Sequence, residues 1–481
     1  MPPLPGGEFS VISGVLFNSP LRRGADIVGG VVVPNIYFPA SIYISIIAIK
    51  YIKKQKGNNF MKYKKQQVEF LNWELGVFFH FGIRTFYEGH RDWDMKEMPL
   101  NGFMPKNLDC GQWMRVIKEA GAKYAILVCK HHDGYANWPS EYTEYSVKNT
   151  PWKNGEGDVV KEFTDACREY GIKVGLYYSP AEFGSKDKDK KDYDEYFINQ
   201  VSELLSNYGK IDYLWFDGCG SENHKYDEKR IVGVIRKLQP DILIFNMWDP
   251  DTRWVGNESG YAHMPNYLTV NSTSFSVMTE PGNKEALSSD RFLPVECDFR
   301  MRLRNWFYSD QDEHTVKSLE ELVGNYYYSV GRGANMLINI GPDRDGHIPK
   351  KDGDRLIELG RYIKESFADP IAFDLSKGDN NNYICKLKEP AVINHCVLGE
   401  SDEKLGIVEE FSIKAYPYDY GQPITVYNGK TIGHKAICQF PAFFTEKIEI
   451  TIEKNRACEE SEEDKKDKKE KIDKIALHFV K

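Results

Sequence analysis

The chain has no cysteines at CxxC spacing. Its nine cysteines stand dispersed at 110, 129, 167, 219, 297, 385, 396, 438 and 458. An odd, scattered set excludes a disulfide framework and reads as free, largely buried thiols. No strong charge of one sign is present either: the net charge of −8 over 481 residues leaves no basic footprint for nucleic acid. The apolar run Ile27 to Ile49 reads as a poor secretory signal, because it starts late and no small-residue cleavage site follows it. That favours a cytoplasmic location. Zinc is not indicated: His131 and His132 are adjacent, and on a strand they would point to opposite faces.

The first 60 residues stand apart from the rest. The run from Ile27 to Ile49 is long enough for a membrane span of about 20 residues, but Pro34 and Pro39 interrupt it. Three readings compete: a membrane anchor, a disordered extension, and a start at Met61 rather than Met1. The last two are favoured over the anchor, with the folded part beginning near Val68. Residues 61–368 then form the main domain and residues 369–481 a smaller one.

What the chain does contain is apolar runs that end on polar groups. Tyr213-Leu-Trp-Phe-Asp-Gly218 delivers one carboxylate, Asp217, at its end. Alone this is as compatible with a plain Asp-Gly turn as with chemistry. The pattern recurs, however. Ala122 to Lys130 runs into His131-His132-Asp133-Gly134, Ile172 to Tyr178 into Ser179-Pro180, Gly76 to Phe79 into His80-Phe81-Gly82, and Ile242 to Phe245 into Asn246. Helical periodicity lies between them, at Gln112 to Ala120, Val159 to Tyr170, Tyr193 to Tyr208 and Glu228 to Leu238. Repeated strand and helix predict parallel βα units, and a (β/α)8-type barrel places its polar strand ends at one face.

After about Asp369 short alternating runs, among them Asn382 to Lys386, Ala391 to Leu398, Phe411 to Ala415, Ile424 to Tyr427 and Ile448 to Ile452, predict a β-sandwich. The charged run Glu459 to Lys471 predicts a solvated loop, with Ile475 to Val480 closing the sandwich. Nine tryptophans and 29 tyrosines suit a protein that packs sugar rings on aromatic faces, although most aromatics serve cores.

From about Glu69 onward the chain resembles the α-L-fucosidases of glycoside hydrolase family 29. Five motifs stand in that family's order: Phe79-His-Phe-Gly82, Lys130-His-His-Asp-Gly134, Trp138-Pro-Ser140, Trp215-Phe-Asp-Gly218, and Asn335 to Pro342 followed by Asp345-Gly346. Arg253-Trp-Val-Gly-Asn-Glu258 and Pro294-Val-Glu-Cys-Asp298 leading to Trp306-Phe-Tyr308 are similar to the branch acting on α-1,3/4-linked fucose.

The resemblance implies a retaining exo-α-L-fucosidase acting on fucosylated oligosaccharides or glycoconjugates, with no cofactor or metal. Asp217 would be the nucleophile and Glu258 the acid/base, with Glu296 as the alternative. His80, His131, His132, Asp92, Trp93 and Arg253 would hold the sugar, and Tyr177 and Trp215 would wall its C5 methyl. Two departures bear on the leaving-group side: Ser179-Pro-Ala-Glu182 replaces Ser-Pro-Trp-Asp, and Phe299 to Phe307 replaces Ser-Ile-Arg-Pro-Gly-Trp-Phe. A glycosidase for another terminal sugar, such as an α-L-galactoside, and an inactive sugar-binding protein are the rival readings.

Overall fold

The computed structural model describes residues 63–89, 96–183, 190–221, 224–270, 291–378, 381–456 and 472–481. The apolar run 27–49, the charged run 459–471, and Asp92 and Trp93 lie outside these residues.

Parallel strands β1 (Leu75–Phe79), β2 (Tyr124–Lys130), β3 (Lys173–Tyr178), β4 (Tyr213–Phe216) and β5 (Leu243–Phe245) are followed by β6 (Arg253–Trp254). A short antiparallel pair, β7 (Thr269–Val270) and β8 (Arg291–Phe292), precedes β9 (Val295–Arg300) and β10 (Asn335–Ile340). Eight of these form one parallel sheet in the order β5-β4-β3-β2-β1-β10-β9-β6. A parallel bridge from Phe245 to Thr252, the residue before β6, brings the two edges together. The barrel is therefore nearly closed. β1, β2, β4, β5 and β10 are buried at every position, which is why they read as continuous apolar runs rather than alternating ones.

Among the described residues seven α-helices accompany the strands: α1 (Lys65–Leu71), α2 (Cys110–Glu119), α3 (Val159–Tyr170), α4 (Tyr193–Asn207), α5 (Glu228–Leu238), α6 (Leu319–Tyr328) and α7 (Lys350–Ser366). Their starts are chemically marked. Asp109, Asp158, Asp192 and Asp227 each accept a backbone N–H from the third residue on, at 2.7, 2.8, 3.0 and 3.1 Å, and Ser318 and Glu321 form a reciprocal box at the start of α6. The predicted alternation holds from β1 to α5 and then changes. Between β5 and β6 only residues 246–252 intervene, a turn in which Asn246 and Trp248 take φ of 64° and 59°. Among the described residues no helix follows β5 or β6.

α1 closes the bottom of the barrel. Phe70 is fully buried there, its ring 5.3 Å from Tyr213 and 6.0 Å from Tyr124, and Asn335 Nδ2 donates to its carbonyl at 2.7 Å. With the lower mouth filled by aromatic rings, only the upper mouth remains for a ligand.

The C-terminal part is one antiparallel sheet of β11 (Phe373–Lys377), β12 (Asn382–Glu400), β13 (Val408–Pro417), β14 (Ile424–Gly429), β15 (Ala436–Asn455) and β16 (Ile472–His478). β12 pairs first with β11 and then with β16, and its register against β15 shifts between Lys386 and Ala391. Such irregularities bend a strand, and one apolar cluster including Cys385, Ile413, Ile450 and Leu477 fills the inside. Against the barrel, Ile437 N–H donates to Gly331 O at 3.0 Å and Tyr327 Oη meets His395 Nε2 at 2.8 Å.

Candidate active site

The polar strand ends converge on a single pocket at the upper mouth. Its walls include Phe78, Tyr177, Trp215, Trp254 and Trp306, and its polar groups are His80, His131, His132, Asp217, Asn246, Glu258 and Asp298. Period-two alternation decides which residues enter it. Tyr177 and Trp215 face inward, whereas Tyr178 and Phe216 face the helices, where Tyr178 Oη donates to Gln200 at 2.7 Å.

Asp217 follows β4 directly and is held on three sides. Tyr177 Oη donates to its Oδ2 at 2.8 Å, Cys219 N–H to its Oδ1 at 2.9 Å, and His132 Nε2 stands 3.3 Å from Oδ2. Burial opposes ionisation of the carboxyl, but the His132 charge and these donors outweigh it and hold its pKa below the ordinary value. Asp217 is therefore an anion in the pocket, as a nucleophile must be.

The three histidines differ. His132 places Nδ1 2.6 Å from Ser179 Oγ, which itself donates to Ala181 O at 2.6 Å. Ser179 must then accept from Nδ1–H, and with Nε2 facing Asp217 both ring nitrogens carry protons. Burial disfavours this imidazolium, yet the Asp217 carboxylate holds its pKa up at about 10. His132 is thus held by Asp217 and Ser179 at the edge of the pocket it lines. His80 is neutral. Asn339 Nδ2 donates to Trp306 O at 2.8 Å, so its Oδ1 accepts from His80 Nδ1–H at 2.6 Å, and burial pushes the ring's pKa down to about 3. Its Nε2 is left as a bare acceptor. His131 is buried and neutral, stacked on Tyr177 at 5.5 Å and 8°, and its Nδ1 has no partner.

The adjacent histidines both face inward because β2 stops at Lys130 and His131 opens a turn, with Gly134 N–H on His131 O at 3.0 Å. The strand geometry expected for them does not apply. His131, His132 and Asp217 bring ligand atoms within 4.8 Å of one another, a closeness that the His132 to Asp217 ion pair accounts for. Beneath the turn, Lys130 Nζ pairs with Glu182 Oε2 at 3.0 Å with both side chains fully buried. Gly134, at φ 84°, lies where a Cβ would stand 2.3 Å from Glu182 Oε1. Lys130, Gly134 and Glu182 therefore support the site from below.

Glu258 lies at the mouth on the loop after β6. That loop is fixed at several points: Asn325 Nδ2 donates to Ser259 O at 2.9 Å, Ala262 N–H to Tyr328 O at 2.7 Å, and Asn257 Nδ2 to Tyr261 O at 3.0 Å. Gly260, at φ 76°, has no space for a Cβ, which would stand 2.4 Å from Phe299 Cδ1. Partial burial raises the Glu258 pKa, Arg300 opposes the rise, and Asp217 adds to it. A proton donor requires a shift in this direction.

Two expected residues fall elsewhere. Glu296 does not line the pocket. It is fully buried inside the barrel below Trp215, accepting from Trp215 Nε1 at 2.8 Å, Tyr124 Oη at 2.7 Å and Tyr213 Oη at 3.4 Å. Arg253 is also outside the pocket, because β6 turns Trp254 inward and Arg253 outward, where its Nη2 donates to Tyr267 O at 2.6 Å. It touches neither a sugar site nor Asp217. The Trp138-Pro-Ser140 motif is structural: Trp138 Nε1 and Ser140 Oγ both donate to Glu203 on α4 at 2.8 Å.

Other residues line the pocket without having been singled out. Trp254 donates through Nε1 to Asp298 Oδ1 at 2.6 Å, and burial holds Asp298 far toward its neutral form. Phe78, Trp306 and Cys219 are also among the lining residues, with Asn246 from the end of β5. For Phe78 the period-two rule applied to β1 would have found it.

A nearly closed parallel barrel with an ionised carboxylate and a second carboxyl of raised pKa in one aromatic-walled pocket has the pair of groups that glycoside hydrolysis uses. Residues 48–366 match the family described as Alpha-L-fucosidase, and the chain belongs to that family. It is similar to Alpha-L-fucosidase 1 of Arabidopsis thaliana, 36% identical over 312 residues that cover 63% of this chain and 61% of that protein. Among solved structures it is similar to a glycoside hydrolase 29 family member from an unknown rumen bacterium, with TM-score 0.78 and 33% identity over 87% of this chain and 77% of the other. A mutant of a Ruminococcus gnavus GH29 fucosidase in complex with fucose matches at TM-score 0.75 and 25% identity, over 87% of this chain and 95% of the other.

Proposed function

We propose that the protein is a retaining exo-α-L-fucosidase that releases terminal α-L-fucose, with preference for α-1,3/4 linkages, from oligosaccharides or glycoconjugates. The observation that carries this reading is the pairing of an anionic Asp217 at the base of the pocket with Glu258 at its mouth. Asp217 attacks the anomeric carbon while Glu258 gives its proton to the departing oxygen. Water then attacks the glycosyl ester as Glu258 takes its proton back, which returns the original anomeric configuration.

The neutral histidines suit a sugar rather than an anion. His80 Nε2 offers a lone pair to a hydroxyl, and His131 Nδ1 is a buried nitrogen that a hydroxyl would satisfy. The fucosidase names of the relatives support the substrate, and the Arg253 to Glu258 motif supports the linkage. The test compares fucose release from a branched α-1,3/4-fucosylated trisaccharide and from an aryl α-L-fucoside, with wild type and Asp217→Ala. Preferred release from the trisaccharide, abolished by the substitution, is expected. Release from the aryl glycoside alone would refute the linkage, and release from neither would refute the activity.

A further inference from the structure

We infer that Arg300 is a positioning residue for Glu258, holding that carboxyl where it can act as acid in the first half of the reaction and as base in the second. The inference rests on the assignment of Glu258 above. An antiparallel bridge joins Ser259 to Phe299, so Glu258 and Arg300 are the next facing pair in that register. Directly opposed residues on one face have Cβ atoms about 4.5–5.5 Å apart.

The Arg300 side chain is anchored from the other side. Its guanidinium lies over the Trp306 ring at 5.3 Å, and Nη1 donates to Arg304 O at 3.1 Å. Among the described residues it makes no ion pair, and its charge acts on Glu258 and on His80. Among the described residues the other charged or titratable groups acting on Glu258 are Asp217 after β4 and Asp298 on β9. Asp298 is buried and neutral, and Asp217 is the anion.

These charges change during the proposed reaction. In the resting enzyme Asp217 favours the protonated form of Glu258 while Arg300 opposes it. As the anomeric C–O bond breaks and the Asp217 O–C bond forms, the Glu258 proton goes to the leaving oxygen. Asp217 is then an uncharged ester that no longer favours the protonated form of Glu258, while the pull of Arg300 remains, so Glu258 stays ionised. Water next forms its bond to the anomeric carbon as the ester bond breaks, and its proton goes to Glu258. Arg300 thus has its main effect on the second step.

The experiment follows kcat against pH for an activated aryl α-L-fucoside, whose good leaving group makes breakdown of the ester limiting. Wild type, Arg300→Met, Arg300→Lys and Glu258→Ala are compared, with melting temperatures as a check on folding. In Arg300→Met the acid limb moves to higher pH, kcat near neutrality falls roughly tenfold, and azide, a nucleophile that needs no base, restores it. Arg300→Lys keeps the limb in place. An unmoved limb in Arg300→Met, or loss that azide does not restore while Glu258→Ala is restored, overturns the inference. If azide fails to restore Glu258→Ala, the acid/base assignment itself falls and the inference falls with it.

Discussion

Replacing Glu296 by Gln separates the two candidate acids by stability as well as by activity. Glu296 is fully buried and burial raises its pKa to about 7 against an ordinary 4.5, although Tyr124, Trp215 and Tyr213 oppose the rise. A raised folded-state value means that the proton binds the native state more tightly. The resulting stabilisation is complete below the unfolded pKa and is lost as the pH rises through the folded one. At about 1.36 kcal/mol per unit, the gap between about 7 and 4.5 corresponds to roughly 3 kcal/mol. Wild type should lose about that much stability relative to Glu296→Gln between pH 4.5 and 7, measured by urea unfolding at a series of pH values. Gln retains an oxygen for the Trp215 Nε1 donor, so the variant folds and keeps activity. An equal pH slope in both proteins would refute the reasoning about burial, and a loss of activity restored by azide would make Glu296 the acid/base in place of Glu258.

Other perturbations test the supports of the site. His132→Gln removes the cation beside Asp217, so the acid limb of kcat/KM moves to higher pH and kcat falls by roughly 10²-fold; an unchanged limb would refute the ion pair. Lys130→Met strands the buried Glu182 charge, and chemical denaturation should show a loss of about 3–5 kcal/mol, with much of it recovered in Lys130→Met/Glu182→Leu. Cys219 is the exposed cysteine among the described residues and lines the pocket. Iodoacetamide should therefore inactivate the enzyme at Cys219, with fucose protecting it; retained activity after stoichiometric labelling would contradict that placement.

Much of this was legible in the sequence because the relevant signals are local. Apolar runs ending in His80, His131, Ser179, Asp217 and Asn246 mark strand ends, and aspartates before α2, α3, α4 and α5 mark helix starts. What local signals do not carry is direction across an irregular strand. β6 has two residues, and nothing in Arg253-Trp254 says which enters the barrel. The closure of the barrel at Thr252 decides it in favour of Trp254. Glu296 was equally ambiguous, since an acid on a barrel strand can reach the mouth or lie a layer below, and the position of Trp215 above it settles the depth. The separate roles of His80, His131 and His132 depend on Asn339 and Ser179, partners far away in the chain. Adjacent histidines were read by strand geometry, whereas the strand had already ended.

The central claim is that Asp217 is the nucleophile. Incubation with 2-deoxy-2-fluoro-α-L-fucosyl fluoride, which forms the glycosyl ester and slows its breakdown, followed by peptide mass analysis tests it directly. The account predicts one fluorofucosyl group on the peptide that carries Asp217 and none in Asp217→Ala. A label on Glu258 or Glu296, or turnover of the reagent with inverted anomeric configuration and no ester, would contradict it.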